Sequence, residues 1–161
     1  MTSLGPGGNK GEKRVKTDKF IAYVLVSIQV AAIILILVSG GLLANRLPLL
    51  GLEIAGLMLG IWALVIMGWH NLNITPLVSQ DAQLVTKGPY AWIRHPMYAS
   101  VLLALWPLII DQFSLFRMTA GMVLTGDLII KMLYEESLLK KHFEGYADYM
   151  RTTKRLIPFI L

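Results

Sequence analysis

Two short stretches of this chain concentrate the residue types that do chemistry. The first, residues 84–100, reads LVTKGPYAWIRHPMYAS and sets Gly88, Pro89 and Tyr90 in a turn, with Arg94 and His95 directly before Pro96 and an apolar run. Proline suits the first position of a helix, where its absent N–H removes no intrahelical bond. Free backbone N–H groups and the positive end of the helix dipole then face the same corner as Arg94 and His95, a candidate anion site. The second stretch carries Glu135, Glu136, Tyr146, Tyr149 and Arg151. Adjacent helical positions point about 100° apart, so Glu135 and Glu136 do not form a paired acid/base dyad. One can face a pocket while the other faces solvent or Lys140.

The elements that must position these residues are apolar. The 161 residues are 55% hydrophobic and 16% charged, with a mean hydropathy of +0.60, more than a soluble domain of this size needs for its core. The expectation is an all-α, polytopic membrane helical bundle. Cysteine is absent, which excludes disulfides, thiol nucleophiles and cysteine metal sites. His70, His95 and His142 lack close ligand spacing, so no metal site is expected. The net charge of +5 points to the anionic inner face of a bilayer rather than to nucleic acid, because the basic residues cluster beside apolar runs.

Residues 1–19, rich in glycine and lysine, read as a disordered basic arm, and 20–161 as a single membrane domain. Residues 20–43 carry no charge and suffice for a first span; 47–69, broken only by Glu53, make a second. Gly51, Gly56 and Gly60 recur at the spacing that lets helices approach closely, a packing face. The polar stretch 70–94 leads into the first motif and is expected to be functional. Residues 97–133 are almost continuously apolar, but as one helix would measure about 55 Å, so they fold back at Asp111 and Gln112.

The second arm of that hairpin carries Arg117, Asp127 and Lys131. Arg117 lies close enough to the hinge to snorkel. Asp127, Lys131 and Glu135 fall four apart on one face, as an intrahelical ion-pair ladder or as a site lining. Lysine and arginine counts place both termini and the central loop in the cytoplasm, with four transmembrane helices and a cytosolic, amphipathic carboxy-terminal segment. Both motifs then lie on one side of the membrane.

Together they offer cations (Arg94, His95), acids (Glu135, Glu136) and aromatic faces (Tyr90, Trp92, Tyr98, Tyr146, Tyr149). S-adenosylmethionine, with its amine, carboxylate, adenine and sulfonium, suits this inventory. A nucleotide phosphate at Arg94 and the helix start suits it too.

The ordered pair Gly88-Pro89-Tyr90, Arg94-His95-Pro96 and Tyr98, then Glu135-Glu136 with Leu139, Tyr146, Tyr149 and Pro158, resembles the isoprenylcysteine carboxyl methyltransferase and phospholipid methyltransferase group. The resemblance covers about half the chain, from Leu84 onward. It implies an integral membrane enzyme that binds S-adenosylmethionine within 84–161 on the cytosolic side and admits a lipophilic or prenylated substrate from the bilayer. By the same resemblance Gly88, Tyr90, Arg94, His95, Pro96 and Tyr98 cradle the cofactor with Leu84 and Val85 nearby. Glu135 or Glu136 holds ribose or amine, and Tyr146 and Tyr149 close the pocket. Arg151 would orient a substrate carboxylate, and for an amine acceptor an acid such as Glu136, or a tyrosine, would take the proton. Sterol-type reductases that use a nicotinamide dinucleotide share an Arg-His-Pro and tail arrangement, but are longer and typically carry a tail Trp and Cys that this chain lacks. A non-catalytic helical membrane protein is the other alternative.

Overall fold

The computed structural model describes residues 8–68, 71 and 83–157. Among them are five α-helices and no named strand: α1 (Gly8–Val38), α2 (Leu47–Met67), α3 (Pro96–Asp111), α4 (Leu115–His142) and α5 (Tyr146–Thr152), with a 3₁₀ turn at Gly88–Ala91 before α3. Trp69, His70, most of the polar stretch that follows and Pro158 lie outside the described residues.

Two helices, Thr17–Val38 within α1 and Leu47–Met67, are long and apolar enough to cross a membrane. Their outward faces are apolar, with Phe20, Ile34, Leu57 and Val65 exposed, as contact with lipid tails requires. At 16 residues, α3 runs only about 24 Å. The basic segment at 8–19 differs from the disordered arm expected of it, because α1 already begins at Gly8. Glu12, Lys13, Arg14, Lys16 and Lys19 are good helix formers, and adding residues to an existing helix avoids the cost of nucleation.

The hairpin turns where expected, between Asp111 and Leu115. Ser114 starts α4 by accepting the Arg117 N–H at 3.1 Å, one of the orphan donors of a helix start. At the same end of the bundle the connection between α1 and α2 is tied to this turn. Asn45 N donates to Asp111 Oδ2 at 2.7 Å, and Arg46 lies 3.5 Å from Asp111 Oδ1. Glu53, the lone charge of α2, is buried because its carboxylate accepts the Ala44 N–H at 3.0 Å. Arg117 does not snorkel. It is buried and donates through Nη1 to Gln112 Oε1 at 3.0 Å, so a side chain of the turn holds it inside.

α2 packs along α3 and α1 along α4, with α3 and α4 joined at the hairpin. Gly56 sets the first approach: a Cβ there would stand 2.6 Å from the backbone N of Ala104. Gly60 faces Ser100, whereas Gly51 meets open space, so two of the three spaced glycines form the packing face. The core joins Ala32 and Ile36 of α1 to Leu105, Leu108 and Ile109 of α3 and to Ala120, Leu124 and Leu128 of α4.

Candidate functional site

Gly88 opens the site at φ +60°, a left-handed conformation that glycine adopts without strain. A side chain there would also collide with Ile66 of α2. The 3₁₀ turn that follows buries Pro89 and Tyr90 and delivers Arg94 and His95 to the start of α3. Main-chain pairing fixes that delivery. Lys154 N donates to Trp92 O at 3.0 Å, Arg94 N to Lys154 O at 2.7 Å and His95 N to Arg155 O at 3.1 Å. The residues after α5 thus lie as a parallel strap along the motif.

The side chains close the same seam. Arg94 Nε donates to Glu136 Oε1 at 2.8 Å, while its Nη1 donates to the carbonyl of Thr153 and to that of Met150 at 3.3 Å. Arg155 meets the other carboxylate oxygen, with Nη2 3.1 Å from Glu136 Oε2. His95 Nε2 stands 3.6 Å from Glu136 Oε1, beyond hydrogen-bond length. Neither glutamate belongs to a described helix that is long and apolar enough to cross a membrane. Burial alone would push the Glu136 carboxyl up, but His95, Arg155 and Arg94 together outweigh it and hold the group down to about 2. Glu136 is therefore a buried carboxylate locked between two guanidinium groups.

Glu135 faces the other way, into a cavity of about 100 Å³ that adjoins a second of about 260 Å³. Tyr90, Arg94, His95, Met97 and Glu135 line both. Tyr98 Oη donates to Glu135 Oε2 at 2.9 Å, and the Tyr98 ring stacks on His95 with centroids 5.4 Å apart. Leu84, Val85, Tyr146 and Tyr149 complete the first cavity. Tyr149 Oη donates to Tyr90 O at 2.6 Å, which ties α5 to the motif. Burial pushes the Tyr149 phenol up to about 12 and raises Tyr90 and Tyr146 as well, both further raised by nearby glutamate charge. All three stay neutral, able to donate a hydrogen bond and unsuited to act as bases.

Most of the residues expected from the sequence converge here. Leu84, Val85, Tyr90, Arg94, His95, Glu135, Tyr146 and Tyr149 line the first cavity, and Pro96 and Tyr98 the second. Gly88 shapes the turn without lining either. Arg94 lines both, yet its guanidinium is engaged by Glu136 and the strap, so the anion corner read from the sequence is already filled by a carboxylate of the chain. Glu136, expected as the acid, points away from both cavities. Arg151 is not brought to the site: its side chain is 82% exposed and pairs with Asp148 at 3.2 Å on the outer face of α5.

Sequence reasoning missed Arg155, whose only signal was its place in a basic tail, and the apolar lining from Met67, Met97 and Phe143. It also missed Gln29 of α1, which lines the second cavity beside Lys131.

The model of the family described as phospholipid methyltransferase matches residues 42–145, from the loop before α2 to the residue before α5. The chain belongs to the phospholipid methyltransferase family. It is accordingly a membrane methyltransferase, and the matched segment of this family member contains His95, Tyr98, Glu135 and Glu136. Neither the curated proteins nor the solved structures compared with the chain match it. Tyr146, Tyr149 and Arg155 fall beyond the matched residues, so their place at the site rests on geometry.

Proposed function

We propose that the chain transfers a methyl group from S-adenosylmethionine to a lipophilic acceptor that enters sideways from the bilayer, with four membrane crossings and the cofactor site on the cytosolic side. One observation carries this reading. Tyr90 Oη, Tyr146 Oη and His95 Nε2 are buried without hydrogen-bond partners, and all three belong to residues that line the cavity holding the Glu135 carboxylate. Buried polar atoms are rarely left unpaired, and this set suits a ligand with an amine, a carboxylate and hydroxyls. The two adjoining cavities together fall in the range of about 300–1,000 Å³ usual for small-molecule sites.

The bound cofactor supplies a methyl group already activated by a sulfonium charge. What remains for the chain is to align donor and acceptor and to exclude water. Glu135 is the carboxylate available to the cofactor's amine or ribose, and for an amine acceptor it is the base within the cavity. Glu136, Arg94 and Arg155 keep the wall in register. The acceptor is a prenyl-thioether carboxylate, a lipid amine or a related lipophile.

The test uses the full chain purified in detergent. S-adenosylhomocysteine is expected to raise its melting temperature and a reduced nicotinamide cofactor to leave it unchanged. His95→Ala is expected to weaken S-adenosylhomocysteine binding about tenfold or more, the worth of one buried polar contact. Unchanged binding in that variant would refute the site, and a response to the nicotinamide alone would replace the methyltransferase reading with a reductase.

A further inference from the structure

Lys131 lies in the second arm of the hairpin and is only 3% exposed. A lysine ammonium has three donors to satisfy, and burying it among apolar helices is costly unless partners are found. Its hydrogen-bond partner is Gln29 Oε1 of α1, a neutral amide, and the Tyr98 ring lies 5.6 Å away. Asp127, one turn deeper on α4, is buried too, but both its carboxylate oxygens are without hydrogen bonds. The Asp127 and Glu135 charges, one helical turn to either side, attract the ammonium, while its hydrogen bond goes to a neutral amide of a second helix, which holds it in place.

Lys131 lines the cavity of about 260 Å³ between α1, α3 and α4, together with Gln29, His95, Tyr98 and Glu135. The apolar side chains of Val26, Val30 and Val101 complete its membrane side. Along this wall the charges are ordered. Lys131 and Glu135 lie one helical turn apart along α4, a rise of about 6 Å, and Glu135 lines the adjoining cavity as well.

We propose that Lys131, oriented by Gln29, is a specificity-determining residue that binds an anionic group of the acceptor lipid, a phosphodiester or a carboxylate, and so sets the depth at which the methylated atom meets the donor. This rests on the reading of the adjoining cavity as the cofactor site. The anion gives the ammonium a charged hydrogen-bond partner beside the neutral Gln29 amide, and the valine-lined side leaves the lipid tail among the helices. Charge-assisted hydrogen bonds are the strong ones in such a site.

The experiment measures binding of three lipids with identical short tails, whose heads are a phosphodiester, a carboxylate or an uncharged alcohol, to the full chain in non-ionic detergent. The wild type is expected to bind one or both anionic lipids about tenfold or more tighter than the alcohol, and the arm that responds identifies the group. Lys131→Gln is expected to bind all three alike, and Lys131→Arg to keep the preference. Gln29→Glu places a fixed carboxylate against the ammonium and is expected to abolish the preference with the lysine still present. No preference in the wild type, or one that survives in Lys131→Gln and Gln29→Glu, would overturn the proposal. S-adenosylhomocysteine binding is read separately on each variant, so that a loss at the cofactor site is not counted as a loss of the lipid preference. Absence of that binding from the wild type too would count against the cofactor site, while the anion preference would still be read.

Discussion

Glu136 is buried with its charge intact because two guanidinium groups, from Arg94 and Arg155, converge on its oxygens. Its carboxyl is held down to about 2, against an ordinary value of 4.5. The folded state therefore binds this proton less readily than the unfolded chain, and the stability it contributes is complete above pH 4.5 and lost as pH falls toward 2. Glu136→Gln is expected to unfold about 3–5 kcal/mol more easily at neutral pH, the usual cost of breaking a buried pair, with the gap to the wild type narrowing below pH 4.5. Melting temperatures of both proteins between pH 7 and pH 3 check this; parallel curves would count against the clamp. Sequence alone announced two adjacent glutamates on different faces of a helix. It did not say which faced the pocket, because that depends on Arg155, and a basic residue in a basic tail carries no distinguishing mark.

At the scale of elements, the hairpin was legible because 97–133 is too long and too apolar to remain one helix in a bilayer, and Asp111 with Gln112 broke it. The strap was not legible. Its attachment to the motif is main-chain pairing at 92–95 and 154–155, and main-chain hydrogen bonds leave no pattern of side chains to read. The strap holds Arg94 and His95 in line, so removing one of its donors has a distinct signature. Lys154→Pro deletes the N–H that meets Trp92 O and is expected to weaken S-adenosylhomocysteine binding at least about tenfold, although residue 154 lines neither cavity. Lys154→Ala keeps that N–H and is expected to bind as the wild type does. Equal loss in both would assign the effect to the side chain instead.

For the whole molecule, the described helices place Arg46 and Asp111 at one end of the bundle and the strap at the other. The proposed four crossings put the first end outside the cytoplasm. The absence of native cysteine makes this simple to check by labelling single cysteines in sealed cells or vesicles. Phe113→Cys, in the turn between α3 and α4 and exposed there, is expected to react with an impermeant reagent from the outside, and Lys141→Cys only after the membrane is opened. Reaction of both from one side would remove the four-crossing arrangement and leave the two long apolar helices as the membrane anchor.

The shortness of α3 has a bearing on how a greasy acceptor reaches its partner. At about 24 Å the helix falls some 6 Å short of a hydrocarbon layer about 30 Å deep; His95 stands directly before it, and Pro96 and Tyr98 lie in its first turn. With its far end moored to the connection between α1 and α2, the four crossings proposed above would set the floor of the chamber below the level of the headgroups. On the proposed function a lipid would then not be hauled out into water to be modified, because the aqueous reagent would come down to meet it.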